Sequence, residues 1–353
     1  MTYIYSEIVY SNDLFDLIKR DAALIIKFKV NNNLVISSWL NGGYQENMKY
    51  VVNQTLEGSD YNEIASMDYK TFQSKCMEKL ELNPLKSTGL FTSACMDNYA
   101  ISTYTFNKLT VTSIVTAGAD KNGIKAGDPA SFYEYDNKYS SIGTINVITI
   151  INANLEPGAL ITASITVTEA KTSVLEDLKL ESQFSTHIAT GTGTDGICIV
   201  SNKSSKNHIE NAGKHSKLGE LIAKSVQDAT RKALYYQTAM NTEYQKTVIN
   251  RLTRFNIDFD DFYNKTSNIT KTDYVSLLYP YINETRNIAW VSMVVNLIDE
   301  YQTNLLEFKD IIEPIKEIIS TFTGISYDIN IKSIKDIMDY MINAINDYLI
   351  KKG

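Results

Sequence analysis

The chain changes character near residue 240, and this change limits the folds open to it. Fourteen of the 16 glycines lie before that point, among short runs rich in β-branched and aromatic residues. Such runs, separated by glycine and polar turns, are typical of strands. After residue 240, apolar residues recur at the spacing of helices. We therefore predict an α+β or α/β domain over residues 1–238, with a mixed central sheet flanked by helices, followed by an all-helical domain over 239–353.

Several segments of the first domain predict individual elements. Residues 23–30 (ALIIKFKV) and 34–40 (LVISSWL) favour two strands joined by a polar turn. Residues 141–152 (SIGTINVITIIN) form a nearly continuous apolar run, which is typical of a strand buried on both faces. We predict helices over 43–56 (GYQENMKYVVNQTL) and over 216–237, where an apolar face recurs.

A further helix is predicted from Pro157, because proline suits a first helical turn. One face of this helix carries residues at three- or four-residue spacing, namely Leu160, Ser164, Val167, Lys171, Val174 and Leu178. Glu169 and Lys171 are interpreted as a solvated pair if they have no function.

The segment after residue 240 has heptad-like spacing. Apolar residues follow it over 291–308 and again over 312–322. Pro314 is expected to break or kink the run, and Gly324 to end it. A last helix is expected over 334–348. Heptads this short fit a small antiparallel bundle as well as a coiled coil, so we favour a bundle and keep dimerisation or homo-oligomerisation through the tail as the alternative.

Charge and composition exclude several classes of protein. The net charge is −7 and no basic run is present, which disfavours nucleic acid as the main partner. No signal peptide or apolar run of transmembrane length is visible, so we expect a cytoplasmic protein without membrane contact. The cysteines, Cys76, Cys95 and Cys198, are widely spaced and odd in number, which predicts reduced and mostly buried thiols.

Four segments of the first domain combine small residues with polar side chains near predicted strand ends. They are SSWLNGG (37–43), VTAGADKNGIKAGDPA (115–130), ATGTGTDG (189–196) and GKHSKLGEL (213–221). Loops at strand ends commonly form ligand sites. The run Thr190–Asp195 could also be a simple turn that ends in the Asp-Gly pair.

Taken in order, these segments resemble the adenosylcobinamide amidohydrolases of corrinoid salvage. TGLFTSACM (88–96) and GTINVITIINANLEPGALITASITVTEAKTSVLEDL (143–178) add to the resemblance, which covers roughly residues 30–235. It implies hydrolysis of the amide of adenosylcobinamide to adenosylcobyric acid and 1-aminopropan-2-ol. The helical tail lies outside the resemblance. The cobalt that the family implies belongs to the corrinoid substrate, and no protein cofactor is identified.

The resemblance also implies candidate site residues. Amide hydrolysis needs an activated nucleophile, oxyanion stabilisation and protonation of the leaving amine. His215 is the candidate acid–base group and Asp195 its partner. Thr194 or Thr192 is the candidate nucleophile, and Glu169 is a further candidate. The expected substrate contacts are Asn41, Gly42, Gly43, Thr116, Gly118, Asp128, Thr190, Thr192, Gly193 and Lys217.

Simpler interpretations remain open for several of these residues. His215 could pack or cap the helix that follows it, and Asp128 before Pro129 is typical of a turn. His187 and His208 lie outside the matched segments, and Cys95 is expected to be a small buried residue. A metal site from His215, Asp195 and Glu169 would need distant segments, so metal use is left open. A corrinoid-binding or sensing protein without activity is the alternative function.

Overall fold

The computed structural model describes residues 6–130 and 145–352. The chain divides into two compact units, Met1–Asn241 and Thr242–Gly353. The fold class is confirmed: mixed sheets with helices form the first unit, and the described residues of the second unit form helices. None of the helices among the described residues is long and apolar enough to cross a membrane.

The strands in chain order are β1 (Ser6–Ser11), β2 (Phe15–Arg20), β3 (Ala23–Phe28), β4 (Asn32–Ile36), β5 (Gly43–Glu46), β6 (Tyr50–Thr55), β7 (Ser87–Thr92), β8 (Ala100–Phe106), β9 (Leu109–Thr116), β10 (Gly123–Ile124), β11 (Asn146–Ile151), β12 (Asn154–Leu155), β13 (Gly191–Thr192), β14 (Gly196–Asn202) and β15 (His208–Ile209). The helices are α1 (Gly58–Ile64), α2 (Tyr69–Lys79), α3 (Pro157–Asp177), α4 (Lys217–Thr238), α5 (Val248–Leu252), α6 (Phe259–Tyr263), α7 (Lys271–Asn283), α8 (Thr285–Gln302), α9 (Phe308–Thr323) and α10 (Ile334–Lys352).

Two main sheets form from the described residues of the first unit, where the sequence predicted one central sheet. The first sheet has the strand order β1-β2-β3-β6-β7 and the second has β5-β4-β14-β11-β9-β8. Each sheet contains one parallel pair, β6 with β7 and β11 with β14. The remaining neighbours in both sheets are antiparallel, so both sheets are mixed.

Strand β11 shows how the second sheet is covered on both faces. Ile148 and Ile150 pack in a core shared with the first sheet. Val147 and Ile151, which alternate with them, pack in a second core with α3 and α4. The prediction of a strand buried on both faces is confirmed for residues 146–151, while residues 141–144 of that run lie outside the described residues.

The first sheet is also covered on both faces. Leu24 and Ile26 of β3 join the core between the sheets, and Ile25 packs on the opposite face with Met77 of α2. The first unit therefore has four layers, with helices outside two stacked sheets. Side chains alternate along a strand, so each of these strands supplies two different cores.

The predicted helix over residues 43–56 is wrong. The structure places β5 and β6 there, separated by a turn in which Asn47 has a left-handed backbone with φ of 52°. Val51 and Val52 of β6 are completely buried in the first sheet. Pairing with β3 and β7 satisfies this backbone and buries both valines, which outweighs the helix-like spacing.

The second unit contains helices around one core. Helix α8 ends at Gln302 and α9 begins at Phe308, which interrupts the predicted run over 291–308. Pro314 was predicted to break or kink the run; it lies inside α9, so it does not break the helix, and a kink at this position stays a prediction. Pro314 removes one backbone hydrogen bond, while the buried residues Ile311, Ile315 and Ile319 keep the helix packed. Gly324 ends α9 in a left-handed conformation, as predicted.

Residues 1–241 expressed alone are expected to fold. The described apolar cores of the first unit use residues no later than Met240, and the core of the second unit begins at Val248. Neither core therefore loses members when the chain is cut after Asn241. Circular dichroism and urea titration are expected to show a single cooperative transition. Aggregation, or the absence of such a transition, would show that the tail is integral to the fold.

Candidate functional site

Asp195 lies in the wall of a cleft in the first unit. The cleft has a volume of about 360 Å³. Its walls come from the end of β4, the start of β14 and one exposed face of α3. The lining residues are Val35, Ile36, Ser37, Ser164, Ile165, Thr168, Asp195 and Ile197. Strands β4 and β14 are neighbours, and Ser37 extends their ladder because its backbone N–H donates to the carbonyl oxygen of Ile197 at 3.0 Å.

The Asp195 carboxylate is held by two neighbours. Its Oδ1 accepts hydrogen bonds from the backbone N–H of Thr192 at 3.0 Å and from the Thr192 hydroxyl at 2.6 Å. Its Oδ2 forms an ion pair with Nζ of Lys171 on α3. The side chains of Lys171 and Asp195 are 5% and 16% exposed. This pair is therefore largely shielded from water, and each charge depends on the other.

Gly191 lets the ion pair form. A Cβ atom at this position would overlap Oδ2 of Asp195 and lie 2.8 Å from Nζ of Lys171. Real side chains do not tolerate such approaches without movement of one partner. The absence of a side chain at Gly191 therefore leaves room for the close approach of the Lys171–Asp195 pair.

Gly191→Ala is expected to destabilise the first unit by about 1–3 kcal/mol, as overpacking generally does. The matched control is Gly158→Ala on α3, where a Cβ meets nothing within 4 Å. That change is expected to be neutral or mildly stabilising, since alanine restricts the unfolded chain. Urea titration of both variants measures the difference. Equal stabilities would show that the loop moves aside at little cost.

Two of the four predicted segments meet beside this ion pair. Strands β10 and β13 pair antiparallel, with Gly123 opposite Thr192. The Thr190 hydroxyl accepts a hydrogen bond from the backbone N–H of Ala126 at 2.8 Å. The Thr190 carbonyl accepts one from the hydroxyl of Thr172 on α3 at 2.8 Å. Thr190 therefore joins segments 115–130 and 189–196 to α3, while Gly193 and Thr194 are exposed at the turn.

Asp128 is part of a turn, which agrees with the simpler interpretation. Its Oδ2 accepts hydrogen bonds from the backbone N–H of Lys125 at 3.0 Å and from the hydroxyl of Ser182 at 2.6 Å. Burial raises the pKa of this carboxyl, but these hydrogen bonds, with those of Ser185 and the charge of His187, together lower it more, so its pKa lies below the ordinary value. Contact of Asp128 with a substrate stays a prediction.

His215 lies at the start of α4 and is exposed. The neighbouring Lys214 forms an ion pair with Glu169 of α3, and Lys217 forms one with Glu220. Asp195 contacts Lys171 and Thr192. Within residues 6–130 and 145–352, the predicted contact between His215 and Asp195 is not formed. The interpretation of Glu169 and Lys171 as a pair is wrong, because residues two apart on a helix do not face each other.

The remaining predicted residues lie in structural positions. The Asn41 side-chain amide donates to the carbonyl oxygens of Pro84 and Ser87 at 2.8 and 2.7 Å. A Cβ at Gly42 would overlap the carbonyl oxygen of Ser38, and Gly43 has a left-handed φ of 76°. These contacts explain the residue types of this loop without a ligand, and binding by the loop stays a prediction.

Thr116 and Gly118 are buried at the end of β9. The Thr116 hydroxyl accepts a hydrogen bond from the amide of Asn53 at 2.9 Å, and Asn53 in turn accepts one from Asn146 at 2.7 Å. All three side chains are at most 1% exposed. This network joins the two sheets, so a substrate contact by Thr116 would require it to open.

Lys171, Thr168 and Ser37 were not among the predicted site residues. Lys171 had a usable signal, since its spacing places it on the apolar face of α3 together with Val167 and Val174. A lysine on a buried face requires an acidic partner. Ser37 begins the predicted segment 37–43, but nothing distinguished it from the other residues there. Thr168 had no signal, because exposed hydroxyls occur throughout the chain.

The cysteines do not contribute to the cleft. All three are unpaired, as predicted, and Cys76 and Cys198 are buried. Burial raises the pKa of the Cys76 thiol to about 11, and it also raises that of Cys198. The prediction of a buried Cys95 is wrong, because this residue is exposed in a turn after β7. In the described part of the chain, no group of three or more His, Cys, Asp or Glu residues is arranged to hold a metal.

Comparisons with known proteins place the first unit among amidohydrolases. A family model described as adenosylcobinamide amidohydrolase matches residues 7–242. An uncharacterized protein of Methanocaldococcus jannaschii is 34% identical over 244 residues, which cover 65% of this chain and 92% of that protein.

Solved structures are less similar. An L-aminopeptidase D-Ala-esterase/amidase from Ochrobactrum anthropi has a TM-score of 0.32 and 11% identity, covering 66% of this chain and 82% of that chain. A β-aminopeptidase from Burkholderia sp. has a TM-score of 0.31 and 11% identity, covering 64% and 81%. Scores this low carry no argument about fold or mechanism.

Proposed function

Because the chain belongs to the adenosylcobinamide amidohydrolase family, as the match over residues 7–242 shows, we propose that it hydrolyses adenosylcobinamide. Water adds to the amide carbonyl carbon, the carbon–nitrogen bond breaks and the nitrogen takes up protons. The products are adenosylcobyric acid and 1-aminopropan-2-ol. This activity would serve corrinoid salvage and cobalamin biosynthesis in the cytoplasm.

The single observation that carries this proposal is the family match, which spans every residue that lines the cleft. The geometry supports it in one respect. Asp195 presents a carboxylate, held by Thr192 and Lys171, at the wall of an open cleft. A positioned carboxylate beside a bound amide can orient water or the leaving nitrogen.

The size of the cleft suggests how so large a substrate binds. Pockets for drug-sized ligands have volumes of roughly 300–1,000 Å³, and a corrinoid is larger than a drug. A cleft of about 360 Å³ therefore suits one side arm of the substrate, with the corrin ring outside. Ile161 and Ile165 of α3 are 53% and 54% exposed and offer an apolar rim for that ring.

The roles of the predicted catalytic residues are part of the proposal. His215 would protonate the leaving amine, since histidine titrates near neutral pH. Its exposure before α4 requires it to approach the substrate in the complex, where catalytic contacts commonly tighten. Thr194 is exposed in the turn before Asp195 and is the candidate hydroxyl nucleophile. Glu169, paired with Lys214, is the second candidate acid–base group.

The proposal is tested by incubating the full-length protein with adenosylcobinamide and separating the corrinoids by chromatography. Formation of adenosylcobyric acid and 1-aminopropan-2-ol in equal amounts is expected. The assay is run with and without added divalent metal, and after dialysis against a chelator. Binding of adenosylcobinamide without turnover in every condition would favour the alternative, a corrinoid-binding or sensing protein. Oligomerisation through the second unit stays a prediction.

A further inference from the structure

The hydroxyl groups along the α3 wall of the cleft already donate hydrogen bonds to backbone carbonyl oxygens of the helix. The Ser164 hydroxyl donates to the carbonyl oxygen of Ile161 at 2.7 Å. The Thr168 hydroxyl donates to the carbonyl oxygen of Ser164 at 2.9 Å. A hydroxyl oxygen whose proton is used in this way still has lone pairs that accept. Towards a ligand, both residues therefore act as hydrogen-bond acceptors.

The strand side of the cleft also presents acceptors. Ser37 Oγ accepts a hydrogen bond from the backbone N–H of Ile197 at 2.9 Å. The Asp195 carboxylate receives two hydrogen bonds from Thr192 and one from Lys171. A carboxylate has about four acceptor positions, so about one remains open on Asp195. Among the described residues, those that line the cleft include no lysine, arginine or histidine, so their polar side chains leave it rich in acceptors and poor in donors.

The remaining residues of these same walls are apolar. Val35, Ile36, Ile165 and Ile197 line it beside the four oxygen-bearing side chains. A complementary ligand therefore carries several hydrogen-bond donors at one end and a short aliphatic body. A primary ammonium group supplies three N–H donors and no acceptor. Amides, carboxylates and phosphates fit this wall less well, because each brings acceptors of its own.

We propose that this cleft is a binding site for the ammonium group of a short amino alcohol. The identity of the ligand as 1-aminopropan-2-ol rests on the proposed function, since that reaction releases this amine. The methyl group lies against the isoleucines, and the nitrogen faces Asp195 and Thr168. The cleft is thus the subsite of the leaving group.

This assignment has a consequence for the reaction. The substrate amide nitrogen carries one N–H donor, while the released amine, RNH₃⁺, carries three. The overall change is RCONHR′ + H₂O → RCOO⁻ + R′NH₃⁺, so the nitrogen gains two protons as its bond to carbon breaks. The acceptors of the cleft therefore form stronger contacts as the reaction proceeds. Interactions that strengthen towards the transition state raise the rate, whereas uniform binding does not.

The test is a binding titration of the full-length protein with 1-aminopropan-2-ol, followed by ligand-observed nuclear magnetic resonance. The comparison ligand is its N,N,N-trimethyl derivative, which keeps the positive charge and lacks N–H donors. We expect saturable binding of the amine, with the trimethyl derivative at least about tenfold weaker, since hydrogen bonds to charged groups contribute that much. Equal binding of both ligands would overturn the proposal.

Variants locate the binding to the cleft. Thr168→Val removes the acceptor oxygen, keeps the shape and is expected to weaken binding about tenfold. Thr162→Val is the matched control, because Thr162 lies on the same helix and donates to the carbonyl oxygen four residues earlier, Gly158, at 3.1 Å. It lies outside the cleft lining, and its variant is expected to bind within about twofold of the wild type. Equal effects of the two changes would contradict the proposal.

The outcomes separate this inference from the proposed function. If the protein turns over adenosylcobinamide but Thr168→Val does not change amine binding, the cleft assignment is overturned and the proposed reaction still holds. Specific amine binding that depends on Thr168, without turnover, would support an ammonium site and contradict the hydrolase. Thermal unfolding of both variants tests whether each is folded. Thr168 is exposed, so its replacement is expected to leave the core unchanged.

Discussion

Asp195→Asn is expected to lower the free energy of unfolding of the first unit by about 3 kcal/mol, because it leaves a buried lysine without its counter-charge. The Lys171 side chain is only 5% exposed, so water cannot replace the lost carboxylate. The side-chain oxygen of an asparagine can still accept the hydrogen bonds from Thr192. A loss of stability in this variant is therefore due to the missing negative charge. Hydrogen exchange of α3 and β14 peptides in increasing urea measures the effect within the first unit.

Two further variants show whether charge explains that loss. Asp195→Asn combined with Lys171→Met removes both charges and is expected to recover most of the stability, since neutral replacements of buried pairs are well tolerated. Glu169→Gln breaks the Lys214 pair, whose side chains are 46% and 63% exposed, and is expected to cost less than about 1 kcal/mol. A double variant as unstable as Asp195→Asn would show that shape or hydrogen bonding decides, not charge.

His215→Ala is expected to lower kcat for adenosylcobinamide by roughly 10² to 10⁴-fold, with little change in KM. An amide nitrogen leaves only after it is protonated, and this transfer matters mainly in the transition state. The prediction depends on the proposed reaction, and single-turnover assays at saturating substrate measure it.

His208→Ala is the matched control for that experiment. His208 is also exposed, but it lies on β15 and its Nε2 is 3.2 Å from Oε1 of Glu156. Its replacement is expected to change kcat less than about twofold, as surface changes away from a site do. If His215→Ala keeps full activity, the acid–base role passes to Glu169 or to a metal-bound water, and the chelator arm of the turnover assay distinguishes these.

Local patterns were sufficient for several elements of the fold. The apolar face of residues 216–237 predicted α4, and its first cap, Ser216, accepts a hydrogen bond from the backbone N–H of Gly219 at 3.0 Å. The apolar run over 141–152 predicted a central strand, and β11 forms within it over Asn146–Ile151. These signals succeed because helix caps and strand alternation depend on neighbouring residues.

Patterns failed where distant partners decide the conformation. Residues 43–56 carry helix-like spacing, yet β6 pairs with β7, which lies more than 30 residues further along the chain. Likewise, Pro314 stays within α9 because the buried residues around it outweigh one lost hydrogen bond. Single-sequence spacing cannot include either contribution, since both come from tertiary packing.

By itself, the sequence determined the fold class, the family and the segments that surround the site, because strand alternation, helix periodicity and ordered motifs are local properties of the chain. Only the tertiary structure decided which side chains meet. It paired Asp195 with Lys171, 24 residues away, and left His215 exposed just before the first residue of α4. Ion-pair partners are chosen by distance in space and by shared burial, and a linear chain records neither.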